Sequence, residues 1–133
     1  MDTPLYKEEL LDHYRHPRNH GLLSGAHASS QVFNPSCGDQ ISMQICVEKN
    51  VLSAIAFQGK GCVISQAAGS LLTLKVLQRP LEEIESLTKE DMLSLVGCPL
   101  GPTRLRCALL ALESLHAALT LYKESSKHRS LSA

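Results

Sequence analysis

The chain has no tryptophan and only 4% aromatic residues, too few for a platform on which unpaired bases could stack. It has no net charge either, because 13 Lys and Arg offset 13 Asp and Glu. That balance argues against a protein that grips nucleic acid through a broad basic surface. Met1 to Glu9 carries acidic residues and no apolar run, so no signal peptide is expected. No apolar stretch reads as long enough to span a membrane. The resulting expectation is a cytoplasmic, reducing setting with no nucleic-acid or membrane partner. Internal repeats and long linkers are also missing. With 133 residues the chain reads as a single domain over residues 1–124, followed by a polar tail over 125–133. A chain of this size buries roughly two-thirds of its unfolded surface and needs no metal or disulfide merely to fold.

What is present begins with a helix. Tyr6, Leu10, Leu11 and Tyr14 share one face between Leu5 and Tyr14, and Pro17 stops the run. A short strand is expected around Gln31 to Asn34. Ile41, Met43, Ile45 and Val47 then alternate with Ser42, Gln44 and Cys46, the pattern of a half-buried strand. A polar turn at Glu48-Lys49-Asn50 leads into a second β-type run from Val51 to Gln58, so the pair reads as a hairpin. Helices follow: Ser65 to Gln78, Leu81 to Leu87, and one opening on the capping-box pattern Thr88-Lys89-Glu90-Asp91 and running to about Val96. After the breakers of Gly97 to Pro102, a last helix is expected from Thr103 to about Lys123. Its apolar stripe is Leu105, Leu109, Leu112, Leu115 and Leu119, and residues 125–133 are expected to fray. Helix, strands, then helices predict an α+β fold: a small antiparallel three-stranded sheet with helices on one face, and a metal site on its rim.

Five cysteines in a reducing setting read as metal or redox ligands rather than as a disulfide framework. Cys37 lies in Asn34-Pro35-Ser36-Cys37-Gly38-Asp39 and Cys62 in Gly59-Lys60-Gly61-Cys62, both among turn residues. Cys107 follows Arg104-Leu105-Arg106 at the start of the last helix, where the helix dipole and the cationic neighbours would favour thiolate. All three are therefore expected to be exposed and activated. Cys107 is also expected to be fit to accept sulfane sulfur. Their spacing is too wide for a local zinc knuckle, so they can meet only through the fold. Asp39 is the natural fourth ligand, with Gly38 allowing the tight backbone between it and Cys37. A turn-forming role for Asp39 is the plainer alternative. Three thiolates and a carboxylate suit Zn²⁺, or an iron–sulfur cluster held less firmly than by four cysteines. Cys46 reads as a packed strand residue and Cys98 as an incidental loop thiol. His13, His16, His20 and His116 read as surface, helix-end or packing residues.

The quoted segments resemble the U-type iron–sulfur cluster assembly scaffold family, which comprises IscU, SufU and the N-terminal domain of NifU. Asp12-His13-Tyr14-Arg15-His16-Pro17-Arg18-Asn19 is similar to its N-terminal segment. The stretches around Cys37, Cys62 and Cys107 are similar to its three cysteine motifs, in order, and the match covers about Leu5 to Lys123. The resemblance implies Cys37, Asp39, Cys62 and Cys107 as ligands of an iron–sulfur cluster, expected to be [2Fe-2S], or of zinc. It also implies a cysteine desulfurase as sulfur donor and apo-iron–sulfur proteins as recipients. The alternative activity it implies is a zinc-dependent sulfurtransferase that accepts persulfide from the desulfurase. Arg106 stands where IscU-type members have His, and Leu100-Gly101-Pro102-Thr103-Arg104 stands where IscU has LPPVK. A dedicated Hsp70-type chaperone is therefore not carried over. The second motif is SufU-like, while the interval between Cys62 and Cys107 is of IscU-like length.

Overall fold

The computed structural model describes residues 3–35 and 38–132, with side chains over 8–35 and 38–126. Eight elements follow in chain order: α1 (Thr3–Arg15), β1 (Ala28–Phe33), β2 (Gln40–Glu48), β3 (Val51–Lys60), α2 (Val63–Val76), α3 (Leu81–Glu85), α4 (Lys89–Val96) and α5 (Pro102–Ser132). The strands form one antiparallel sheet in the order β1-β2-β3, and α2 and α5 lie against it. The fold is α+β, as the order of patterns implies.

β2 holds the centre because its alternation is complete. Ile41, Met43 and Ile45 are fully buried and Val47 nearly so, while Ser42, Gln44 and Cys46 between them stay half-exposed on the other face. Lys49 and Asn50 both take positive φ, 52° and 63°, which closes the β2–β3 hairpin in two residues with the twist its strands require. A register shift at Cys46/Val47 interrupts the ladder. His27 repairs it: its backbone N–H donates to the Ile45 carbonyl at 2.8 Å, and its Nδ1 accepts the Val47 N–H at 3.0 Å.

The helices cover one face of the sheet with small residues at the tightest approach. Ala67 and Ala68 of α2 are fully buried, as are Ala108, Ala111, Ser114 and Ala118 of α5. Gly69 sits against Phe57, and a Cβ there would come within 2.8 Å of the ring. Leu112, Leu115 and Leu119 of the expected α5 stripe are buried, while Leu105 and Leu109 are half-buried. The capping box at Thr88 and Asp91 is formed in both directions.

Several expectations change. α5 continues to Ser132 rather than stopping near Lys123, and Lys123 is ion-paired with Glu85. The stretch 102–126 is long and apolar enough to cross a membrane by length and composition, so the expectation that no stretch qualifies is corrected. Half of its 18 most apolar consecutive residues are buried within the protein, which accounts for its composition. β1 starts at Ala28, three residues earlier than expected. On α1 it is Leu10 and His13 that are buried, while Tyr14 is 42% exposed; Tyr6 lies outside the described side chains.

His13 is buried because α1 and the following turn are tied to α2 by polar contacts. The Arg18 N–H donates to Ser70 Oγ at 2.9 Å, and His13 Nδ1 lies 2.7 Å from the same oxygen. With its oxygen already accepting, Ser70 has its own proton to give to a neutral imidazole. Asn19 Nδ2 donates to Thr73 Oγ1 at 3.1 Å.

Candidate metal centre

Three element junctions meet at one end of the sheet. The loop from Asn34 to Asp39 is closed by two backbone bonds of 2.8 Å: Gly38 N–H to the Asn34 carbonyl, and Asn34 N–H to the Asp39 carbonyl. Gly38 takes φ +80°, a left-handed conformation that glycine adopts without steric cost. The loop delivers Asp39 directly onto the start of β2. Across the hairpin, β3 ends at Lys60. Gly61 then turns the chain with φ +146°, and Cys62 becomes the N-cap of α2. Cys107 comes from the second turn of α5.

Asp39, Cys62 and Cys107 each bring a ligand atom to within 4.8 Å of the other two. Cys37 lies outside the described residues. Asp39 is 4% exposed and Cys107 3%, while Cys62 is half-buried. The Cys62 N–H points at Asp39 Oδ2 at 3.4 Å. Ser65, fully buried one turn into α2, donates to the Cys62 carbonyl at 3.1 Å.

Charge is distributed unevenly across this cluster. Burial pushes the Asp39 carboxyl upward, but hydrogen bonds from the Cys62 thiol and N–H, the Cys107 thiol and Ser65 outweigh it. The group is held below its ordinary value. Cys107 moves the other way. Burial, then the neighbouring Cys62, then the Asp39 carboxylate push its thiol well above the ordinary cysteine range. The expected exposed, activated Cys107 is therefore corrected. Arg104 and Arg106 are exposed, and Arg106 lines a separate cavity of about 290 Å³ with Phe33, Asn34, Pro35, Leu109, Leu110 and Glu113. Two cysteine sulfurs face one carboxylate. A cation bound through Cys107 would take the place of its thiol proton beside that negative charge, so binding there releases a proton.

The remaining candidates lie elsewhere. Cys46 donates weakly to the Gly25 carbonyl at 3.6 Å, and Cys98 packs half-buried against the core. His20 sits edge-on to Phe57 with centroids 5.4 Å apart, and His116 Nε2 is 2.9 Å from the Ile84 carbonyl. None of them belongs to a metal-ligating group among the described residues. Sequence reasoning missed Gly61 and Ser65. Their signal was adjacency: one precedes Cys62, and the other follows it by three residues, one helical turn away.

The family model described as NifU-like N terminal domain matches residues 5–129. The chain belongs to the NifU-like N-terminal domain family. Among relatives of this NifU-like chain is the iron–sulfur cluster assembly scaffold protein IscU of Aquifex aeolicus. It is 37% identical over 119 residues, which cover 88% of this chain and 75% of that protein. The zinc-dependent sulfurtransferase SufU of Bacillus subtilis is 30% identical over 132 residues, covering 86% of this chain and 88% of that protein. Among the solved structures that share the NifU-like fold are two examples. One, from Fervidobacterium islandicum AW-1, is described as a scaffold protein for the SUF system. It superposes with a TM-score of 0.75 at 23% identity, covering 90% of this chain and 99% of that one. The other, a NifU-like N-terminal domain from Brucella abortus, gives 0.74 at 20% identity, covering 90% and 94%.

Proposed function

We propose that this protein is an iron–sulfur cluster assembly scaffold whose cargo is held by Cys37, Asp39, Cys62 and Cys107. The observation that carries the reading is the convergence of Asp39, Cys62 and Cys107 within 4.8 Å in a chain 37% identical to an IscU scaffold. Two soft sulfurs beside a hard oxygen fit iron–sulfur cargo and zinc alike. One oxygen in the set makes a hold weaker than four thiolates would, which suits a cargo that must leave. The [2Fe-2S] form is the expected cargo. A cysteine desulfurase is the proposed sulfur donor, apo-iron–sulfur proteins are the recipients, and the setting is cytoplasmic.

Sulfur arrives by thiol exchange: an acceptor thiolate attacks the outer sulfur of the donor's persulfide, the S–S bond breaks, and the donor leaves as thiolate. No net oxidation or reduction occurs. The acceptor role given to Cys107 requires its buried side chain to be uncovered first, whereas Cys62 is only half-buried. Mass spectrometry after incubation with a desulfurase and cysteine separates the two.

The second reading, a zinc-dependent sulfurtransferase, is favoured by the 30% identity to Bacillus subtilis SufU across most of both chains. Anaerobic reconstitution with iron and sulfide, beside zinc analysis of the purified protein, decides between them. Visible cluster absorption that moves to an acceptor apoprotein supports the scaffold. Stoichiometric zinc that blocks cluster formation overturns it in favour of the relay.

A further inference from the structure

We propose that Gly61 is the positioning residue for the carboxylate of this centre: its bare Cα leaves the volume in which Asp39 is held against the two cysteines. The inference rests on the reading of Asp39 as a ligand. A Cβ placed on Gly61 would overlap Asp39 Cγ and both carboxylate oxygens, all three within 2.8 Å. No side chain tolerates such contacts, so one of the two groups must move. Asp39 has little freedom to adjust in place. It is 4% exposed, its carbonyl is bound by the Asn34 N–H, and the next residue, Gln40, is paired with Lys60 in the sheet. The carboxylate would have to swing out of the cluster altogether, leaving sulfur donors and water.

Gly21, Gly25, Gly38, Gly59, Gly69 and Gly101 do not share this arrangement. A Cβ at Gly21, Gly25, Gly38 or Gly101 would meet nothing within 4 Å. At Gly59 it would meet Ile41, Gln40 and Gln66, and at Gly69 the Phe57 ring. Gly61 also carries φ +146°, so a substitution there has a backbone cost of its own. The test must separate that cost from the loss of the carboxylate.

Four full-length chains do so: wild type, Gly61→Ala, Asp39→Ala and the double variant. Each is titrated anaerobically with cobalt(II) alone as a spectroscopic probe, then with zinc in competition. Gly61→Ala should weaken zinc binding about 10–100-fold, the range for losing a residue that orients a ligand, and Asp39→Ala, which removes the ligand itself, by at least as much. Both should shift the cobalt ligand-field bands in the same way while sulfur-to-cobalt charge transfer persists. The double variant should bind no more weakly than Asp39→Ala alone, because a group already removed cannot be displaced. Melting gives a second readout: Gly61→Ala should lower Tm more in the wild-type background than in the Asp39→Ala background, where the overlap is gone.

If Gly61→Ala alone fails to fold, the double variant should still fold and bind like Asp39→Ala. A double variant that fails to fold, while Asp39→Ala folds, puts the cost in the backbone and overturns the proposal. Additive losses, or a Gly61→Ala protein that binds like wild type beside an impaired Asp39→Ala, overturn it while leaving Asp39 a ligand. An Asp39→Ala protein with wild-type affinity and spectrum overturns the ligand reading itself, and Gly61 then has no carboxylate to position.

Discussion

Asp39 keeps its charge almost out of reach of water because thiols, a hydroxyl and a backbone N–H converge on it. Replacing its oxygen by sulfur tests what that oxygen does. Asp39→Cys should hold a reconstituted cluster longer against a chelator and pass it to an acceptor apoprotein more slowly. Unchanged half-life and transfer rate in a well-folded variant would remove Asp39 from the ligand set. At His13 the environment acts in the opposite sense to a salt bridge. Burial, reinforced by the Arg18 charge and opposed by Asp12 and Glu9, holds its pKa below the ordinary 6.5. The unfolded chain therefore takes up a proton first as pH falls below about 6.5, and the folded state loses stability until His13 itself is protonated. Urea unfolding across that window should show a shallower decline for His13→Gln than for wild type. Parallel declines would exclude His13 as a source of the acid sensitivity.

Elements were legible wherever their signal was local. The β2 alternation, the hairpin and the Thr88 capping box could all be read directly, because each rests on neighbouring residues, although Glu48, expected in the turn, is the last residue of β2. Thr88→Ala should lower stability by about 1 kcal/mol, since the Thr88 hydroxyl accepts the Asp91 N–H that starts α4. Gly69→Ala should cost about 1–3 kcal/mol, because α2 cannot move off Phe57 without disturbing the sheet; denaturant midpoints measure both. An unchanged midpoint for Gly69→Ala would mean that the ring can shift at no cost. Burial of Cys107 was not legible, because the arginines beside it in sequence say nothing about which side of α5 faces the sheet. Leu105 and Leu109 misled for the same reason: the stripe had the right period but its centre fell on Ala108, Ala111, Leu115 and Ala118. For the centre itself, Asp39, Cys62 and Cys107 could be named from their motifs, but the packing of Gly61 under the carboxylate needs two strands in register. α5 was expected to stop near Lys123 on polarity alone, yet helical backbone tolerates a fully polar turn.

At the scale of the whole molecule, a ligand that binds only the folded chain should stabilise it by mass action. Zinc at 100 times its Kd should add about 2.7 kcal/mol. The rise in melting temperature should vanish in Cys62→Ser and persist in Cys46→Ser; a rise retained in Cys62→Ser would place the zinc elsewhere. The three converging side chains are contributed by three separate junctions, the last of them on α5, the final element of the fold. During synthesis the β2–β3 hairpin can form early and bring Asp39 to Cys62, since domains assemble from the N-terminal side as they emerge. Cys107 cannot join them until α5 has been made and has docked across the sheet. A chain folded only through β3 therefore presents Asp39 and Cys62 without Cys107. A metal that needs all three side chains must wait for α5 to pack, and a test for its binding is also a test of that packing.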